Sequence, residues 1–293
     1  MLRSSAMPPL LEADRVRVDV HGAPAVDGLS FATQGDQVLV IGAARALFEA
    51  VSGVRPVASG ALRVAGASAR DALRSGQTAG ASFDLPLPPR WTPREYATWS
   101  ARLAGHPRAV AASLAREALD RMKMASVVDV RLGKALPLVR RATAIAAAIA
   151  TGAEVILLDD PLAGLAEEQA RSLARIVSRA LDDRRWIVFA PRVPLASPLA
   201  LNADEAIVVT GATVAGQGPP AELAARERAY ALRVQGETAA FARRVIERGG
   251  TVGGNAAEMT IELGELTTGE LVRIAQESNA VILELFPLAA SFG

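Results

Sequence analysis

Four apolar residues followed by two carboxylates, Val155-Ile156-Leu157-Leu158-Asp159-Asp160, constrain the fold of this chain more than any other segment. A short unbroken apolar run led by β-branched residues reads as a strand covered on both faces, the usual state of strands in the parallel sheets of α/β proteins. The two acids then stand at the carboxyl end of that strand, where open α/β sheets hold their ligands.

The rest of the chain supplies partners for such a strand. Residues 15–20, 37–41 and 61–65 read as strands bounded by glycine, and 186–190, 206–210 and 213–216 complete the set. Between them, 92–124 reads as helix with Thr92 as N-cap, Pro93 at the first helical position and Glu95 in the first turn, broken at Gly105-His106-Pro107. Residues 136–151 and 166–181 are further helices, whereas Gly66 to Pro89 is rich in glycine, serine and proline and carries no assigned element. Helices between strands imply a parallel sheet covered on both faces. A helix leads from Ala221 to Tyr230, and the tail repeats on a smaller scale: strand 231–235, helix 237–248, strands 251–253 and 258–263, helix 267–277 and strand 280–286. Such a βαββαβ order implies a small ferredoxin-like domain.

Composition narrows the function. Hydrophobic residues make up 51% of the chain and aromatics only 4%, so alanine supplies much of the apolar excess. The longest apolar run, Ala142 to Ala150, is short against the roughly 20 residues that cross a bilayer. A net charge of +1 gives no global field for nucleic acid or anionic lipid. With no cysteine and only His21 and His106, disulfides, thiolate metal sites and ordinary zinc sites are excluded. No secretory signal is read in Met1 to Leu11, and a cytoplasmic location is expected.

The order of segments resembles the ATP-binding subunit of an ABC transporter. Val26-Asp27-Gly28-Leu29-Ser30-Phe31, Gly35-Asp36-Gln37-Val38, Ser52-Gly53 and Ser59-Gly60-Ala61-Leu62-Arg63-Val64 look like the opening of that core. Thr92 to Tyr96 resembles the start of its helical subdomain, Asp159 to Leu165 its Walker B and D-loop, and Gly216 to Leu223 its closing segment. The resemblance covers residues 12–225, and the tail is similar to the small domain of ABC subunits of the export type. It implies a P-loop NTPase-like α/β core over 1–228, with a helical subdomain at about 90–150, and a ferredoxin-like domain over 229–293. In a nucleoside triphosphatase the first acid would help to hold Mg²⁺ and the second would orient the attacking water.

Against that pattern five nucleotide contacts are altered. A G-x-x-x-x-G-K-[ST] run would wrap its amides around the phosphates, but here it is Gly42-Ala43-Ala44-Arg45-Ala46-Leu47-Phe48-Glu49, with Phe48 for lysine and Glu49 for the Mg²⁺-binding hydroxyl. Arg45 is expected to be a solvated arginine at a helix start. The glutamine position falls near Asp84, the switch histidine near Pro191 or Arg192, and Asp160 stands for the catalytic glutamate. The signature serine and glycines, whose helix end caps a partner's γ-phosphate, become Leu136-Pro137-Leu138. His21 lies near the adenine-stacking position, though a lone histidine in a turn is common. Arg140-Arg141, Arg184-Arg185 and Arg243-Arg244 are expected to be solvated, and Phe286, Leu288 and Phe292 form an apolar chain end expected to pack on its own domain or on a dimer mate.

The reading these replacements favour is a pseudo-ATPase subunit, with Asp159 and Asp160 vestigial and no cofactor expected. It would pair with an ABC ATPase or a second copy, docked on a permease at the inner face of the membrane, with no nucleic-acid partner. Two alternatives stay open: a weakly active ATPase with Mg²⁺ on Asp159, and a soluble regulatory protein that kept the fold without transport.

Overall fold

The computed structural model describes residues 7–194, 197–226, 229–254, 259–264, 266–287 and 291–292. Strands β1 (Leu11–Val20) and β2 (Ala23–Ala32) form an antiparallel hairpin whose turn residues His21 and Gly22 both have positive φ, 52° and 80°. Strand β3 (Gln37–Gly42) is followed after a single residue by helix α1 (Ala44–Val51). Strands β4 (Ser59–Val64) and β5 (Ala67–Ser68), helix α2 (Ala69–Arg74) and strand β6 (Thr78–Ala81) come next. Helices α3 (Pro93–Leu103), α4 (Arg108–Arg121) and α5 (Pro137–Ala150) pack on one another and lead into β7 (Val155–Asp159). Then follow α6 (Glu167–Ala180), β8 (Arg185–Ala190), β9 (Val193–Pro194), α7 (Pro198–Asn202), β10 (Glu205–Val209), β11 (Val214–Gly218) and α8 (Pro220–Arg226).

Two sheets share one core. The larger has the order β11-β10-β3-β8-β7-β6, parallel except for the β10–β11 pair. The smaller is antiparallel, β2-β1-β4-β5. Val38, Val40, Val155, Leu157, Ile187 and Phe189 of the parallel sheet join Val16, Val18 and Leu29 of the antiparallel one through Leu47, Phe48 and Val51 of α1. Helix α1 is thus an interior element, and its apolar sequence Ala-Leu-Phe at 46–48 suits that place.

The start of β3 is fixed by two neighbouring acids. Asp204 accepts hydrogen bonds from the amides of Asp36 and Gln37 (3.0 and 2.9 Å), and Glu205 accepts from those of Gln34 and Gly35 (2.6 and 3.0 Å). Four consecutive backbone donors are satisfied in this way at the entry to the central strand. Glu205 is 5% exposed and also takes the Gln217 side-chain amide at 2.7 Å, which ties β11 to the same point.

The sequence reading and the structure part in several places. β1 begins at Leu11 instead of residue 15, and β2, β5, α2, β6, β9 and α7 have no counterpart in the expected elements. β6, Thr78-Ala79-Gly80-Ala81, has little β propensity and is made a strand by its parallel ladder with β7. Thr92 does cap α3 as expected: it exchanges hydrogen bonds with Glu95 in a full capping box.

The chain divides between Pro220 and Ala221, where the sequence suggested 228/229. The second unit takes in α8 from Ala221 onward and contains β12 (Ala229–Gly236), α9 (Thr238–Glu247), β13 (Thr251–Gly254), β14 (Met259–Glu262), α10 (Thr268–Glu277) and β15 (Ala280–Pro287). Its antiparallel sheet runs β13-β14-β12-β15 over a core that includes Leu232, Phe241, Val245, Ile261, Leu271 and Ile274. The side chains of Phe286, Leu288 and Phe292 lie outside the described residues.

Glu205→Leu removes the acceptor for three donors while keeping the bulk, and an unsatisfied buried donor costs about 1–3 kcal/mol. A loss of about 3 kcal/mol in urea unfolding is expected; a change below about 0.5 kcal/mol, typical of an uninvolved surface site, would show that the amides of Gln34 and Gly35 do not depend on it.

Candidate functional site

The carboxyl ends of β3, β8 and β7 lie side by side, and the residues expected to meet a nucleotide gather there. The turn out of β3 leaves no loop. Gly42 still pairs with Val209 of β10, and the amide of Ala43 donates to the Val209 carbonyl at 2.9 Å, so the helix starts at the next residue. Gly42 has φ +92°, and a Cβ there would stand 2.3 Å from the Val209 oxygen, so only glycine fits. Of the amides that would encircle a phosphate, that of Ala43 is committed to the sheet.

Phe48, 3% exposed, packs edge-on against Phe189 of β8 with ring centroids 5.8 Å apart. It is part of the core and leaves no cation at the lysine position. Glu49 is held by two arginines: Arg45 Nε donates to Oε1 at 3.0 Å and Arg55 Nε to Oε2 at 2.7 Å. Burial works against its charge, but the two guanidinium hydrogen bonds prevail and hold its pKa below the ordinary glutamate value.

Arg45 stays exposed at the helix start, as expected, but it is also tied into the site. Its Nη1 donates to Asp159 Oδ2 at 2.6 Å, its Nε reaches Glu49, and its Nη2 lies 3.6 Å from Asp84 Oδ1. The guanidinium carbon sits 4.9 Å from the centre of the Phe83 ring, within cation–π range. Burial disfavours its charge, yet Glu49, Asp159 and Asp84 together raise its pKa. The first turn of α1 thus carries a cation across the end of β8 onto the acid that ends β7.

Asp159 is 2% exposed. Besides Arg45 it accepts from Ser82 Oγ at 2.9 Å and from the amide of Phe83. Burial still dominates and lifts its carboxyl above the ordinary aspartate range. Ser82 Oγ also lies 2.8 Å from Asp84 Oδ1, and one hydroxyl proton serves only one of the two acids at a time. Asp84 has its pKa lowered, first by Ser82 and then by Arg45.

Asp160 is half-buried with φ 37°, and its amide donates to the Phe189 carbonyl at 2.7 Å. Burial, then the neighbouring Asp159, raise its pKa, while Arg141 and Arg192 oppose them. Arg141 corrects the expectation of a solvated side chain: it donates to the carbonyls of Asp160 and Ala163 at 2.9 and 3.2 Å and lies 5.6 Å from the Phe83 ring, so it staples the turn after β7 to α5. Arg185 is a second correction, 17% exposed between Asp36 and Glu154. Arg244 is likewise engaged, reaching the Glu277 backbone carbonyl, whereas Arg140 and Arg243 are exposed.

Among the described residues the remaining positions make no hydrogen bond or ion pair to this cluster, though the charge of Arg192 acts on Asp160. Leu136 is 65% exposed at the uncapped start of α5, with Pro137 in the first turn and Leu138 half-buried. Arg192 is exposed beyond β8, and His21 sits exposed at the tip of the β1–β2 hairpin. Among the described residues no group of three or more potential ligands could hold a metal ion.

Replacing Arg45 by methionine strands the Asp159 carboxylate, a change that costs about 3–5 kcal/mol for a fully buried pair. Because Arg45 is 45% exposed, solvent screening reduces this to about 2 kcal/mol near neutral pH. With its pKa raised on folding, Asp159 binds more protons folded than unfolded from the ordinary carboxylate range upward, so stability falls as pH rises through that window. Loss of Arg45 lifts that pKa further. Urea unfolding should therefore show a small defect near pH 4 and a full one near pH 7, most of it recovered by adding Asp159→Asn; a defect that ignores both pH and the second substitution contradicts the pairing.

No protein-family model matches the sequence, and no curated protein matches it. Solved structures do. CbiO1 from Clostridium perfringens, part of the ABC transporter complex CbiONQ, is similar with TM-score 0.62 and 18% identity, covering 74% of this chain and 91% of that one. Two further ATP-binding cassettes of ABC transporters, one nucleotide-free and one in its ADP conformation, each align with TM-score 0.60 and 15% identity over 72% of this chain and 91% of theirs. The chain therefore has the fold of an ABC transporter ATP-binding cassette, with an α/β core of the P-loop NTPase kind.

Proposed function

We propose that this chain is a non-catalytic subunit of the ABC transporter type. It pairs with an ATPase subunit or a second copy of itself, docks on the inner face of a membrane permease, and transmits or restrains motion without hydrolysing ATP. The observation that carries this reading is Arg45, which puts an internal cation on Asp159, the acid that would otherwise help to hold the metal of a nucleotide.

The residues present do not fit a magnesium nucleotide. Within the contacts around Arg45, two guanidiniums, Arg45 and Arg55, face three carboxylates, Glu49, Asp84 and Asp159. A triphosphate approaching α1 meets guanidiniums already committed to carboxylates, where a nucleotide site supplies uncommitted cations and free amides. The buried ring of Phe48 and the ladder-bound amide of Ala43 remove the other two donors. At the signature position, exposed Leu136 and Pro137 offer a partner an apolar contact in place of a phosphate cap.

Docking on a permease is supported by the outer side of α3. Trp91, Tyr96 and Trp99 form an aromatic cluster with centroids 5.5–6.4 Å apart, and Trp99 and Leu103 remain 43% and 66% exposed. Large apolar side chains left together on a surface mark an interaction site. Among the described residues no helix is long and apolar enough to cross a membrane, so contact with the bilayer would run through such a partner.

Titrated with ATP and Mg²⁺, the isolated chain is expected to bind no tighter than about 1 mM and to show no turnover above background, with Asp159→Asn changing neither. Low-micromolar binding, or turnover that Asp159→Asn abolishes, contradicts the reading and favours a weakly active ATPase.

A further inference from the structure

Away from the Asp159 cluster, a cleft of about 700 Å³ opens between the end of α1, strand β4 and helix α2. Arg55, Arg63, Arg70 and Arg74 line it, its floor includes Leu62 and Ala69, and no carboxylate is among the lining residues. The chain as a whole carries a net charge of only +1, so four guanidiniums around one depression are a local concentration of charge.

Two of the four have counter-ions. Arg55 is spent on Glu49 at 2.7 Å, and Arg63 lies 3.3 Å from Glu12 across the β1–β4 ladder. Arg70 and Arg74 are different: among the described residues neither has an ion pair or a side-chain hydrogen bond. They stand four apart on the short helix α2, where like charges repel. Asp71 between them is turned to the helix start, with its carboxylate 2.6 Å from Ser68 Oγ. Arg116, Arg140, Arg175 and Arg179 of this unit also have no ion pair among the described residues, and Arg70 and Arg74 are set apart by lining one depression together with Arg55 and Arg63. The cleft thus keeps two cations on one helix face, offset in part by Asp71 beside them, next to the apolar Leu62 and Ala69.

We propose that this cleft binds a phosphate dianion borne by a small organic molecule, with Arg70 and Arg74 as the pair that neutralises it and Arg63 as a flanking donor. The volume falls in the range of small-molecule sites, about 300–1,000 Å³. Planar guanidinium forks match phosphate oxygens in pairs, and the apolar floor would carry the organic part. The site is independent of Arg45 and Asp159, so it stands or falls apart from the function proposed above.

The full chain titrated with pyrophosphate at low salt by calorimetry is expected to bind in the micromolar range. The double variant Arg70→Ala/Arg74→Ala should weaken this by about tenfold or more with an unchanged far-ultraviolet circular dichroism spectrum, and Arg140→Ala, an exposed arginine outside the cleft, should leave it unaltered. Co-sedimentation with phosphatidic acid vesicles, lost in the double variant and absent with phosphatidylcholine, would identify a lipid headgroup as the source of the same anion and also support the site. No binding of either probe, binding indifferent to Arg70 and Arg74, or binding only of an acidic peptide would overturn it.

Discussion

A carboxylate held almost out of water at the end of a buried strand needs a counter-charge, and here that charge is Arg45. Much of the surrounding backbone is consistent with delivering it. Strand β3 runs in ladder with β10 as far as Gly42, whose positive φ turns the chain at once into α1, and this brings the arginine one position into the helix. Phe48, one turn later, fills the space against Phe189. Ser82 and the amide of Phe83, just beyond β6, close the other side of the carboxylate. The ends of β3, β6 and β7 are in this way joined by one ionised pair and its hydrogen bonds.

The same cluster accounts for the turn that follows β7. Asp160 carries a positive φ, and its carbonyl is taken by Arg141, which also holds Ala163 and stacks on Phe83. Phe83 therefore has a guanidinium from α1 at 4.9 Å and another from α5 at 5.6 Å. A segment that would have to move or bind solvent in a hydrolytic site is stapled from both sides by side chains of the same chain. Arg45 and Arg141 tie Asp159 and the carbonyls after β7 to α1 and α5.

Much of the fold was legible in the sequence because its central strands are strongly apolar. Val155 to Leu158, Gln37 to Ile41 and Trp186 to Ala190 announce a buried parallel sheet, and the Thr92 and Glu95 pair announces the start of a helix. β6 was hidden because alanine and glycine carry no strand signal, and only its neighbour β7 makes it one. At the site, Gly42 to Glu49 departs from the phosphate-loop pattern in sequence, but the sequence carries no trace of the destination of Arg45. Its Asp159 contact spans 114 positions and has no local trace, whereas the Arg45–Glu49 spacing of four is a local signal of pairing. Arg141 was misread for the same reason: its partners are backbone carbonyls 19 and 22 residues away, which no charge pattern reports.

The most direct test is a crystal structure of the chain grown with a saturating non-hydrolysable ATP analogue and Mg²⁺. The account predicts Arg45 still seated on Asp159, the Gly42–Ala43 turn unchanged and no nucleotide density over α1. Mg²⁺ coordinated by Asp159, with Arg45 swung away onto a phosphate, would contradict it.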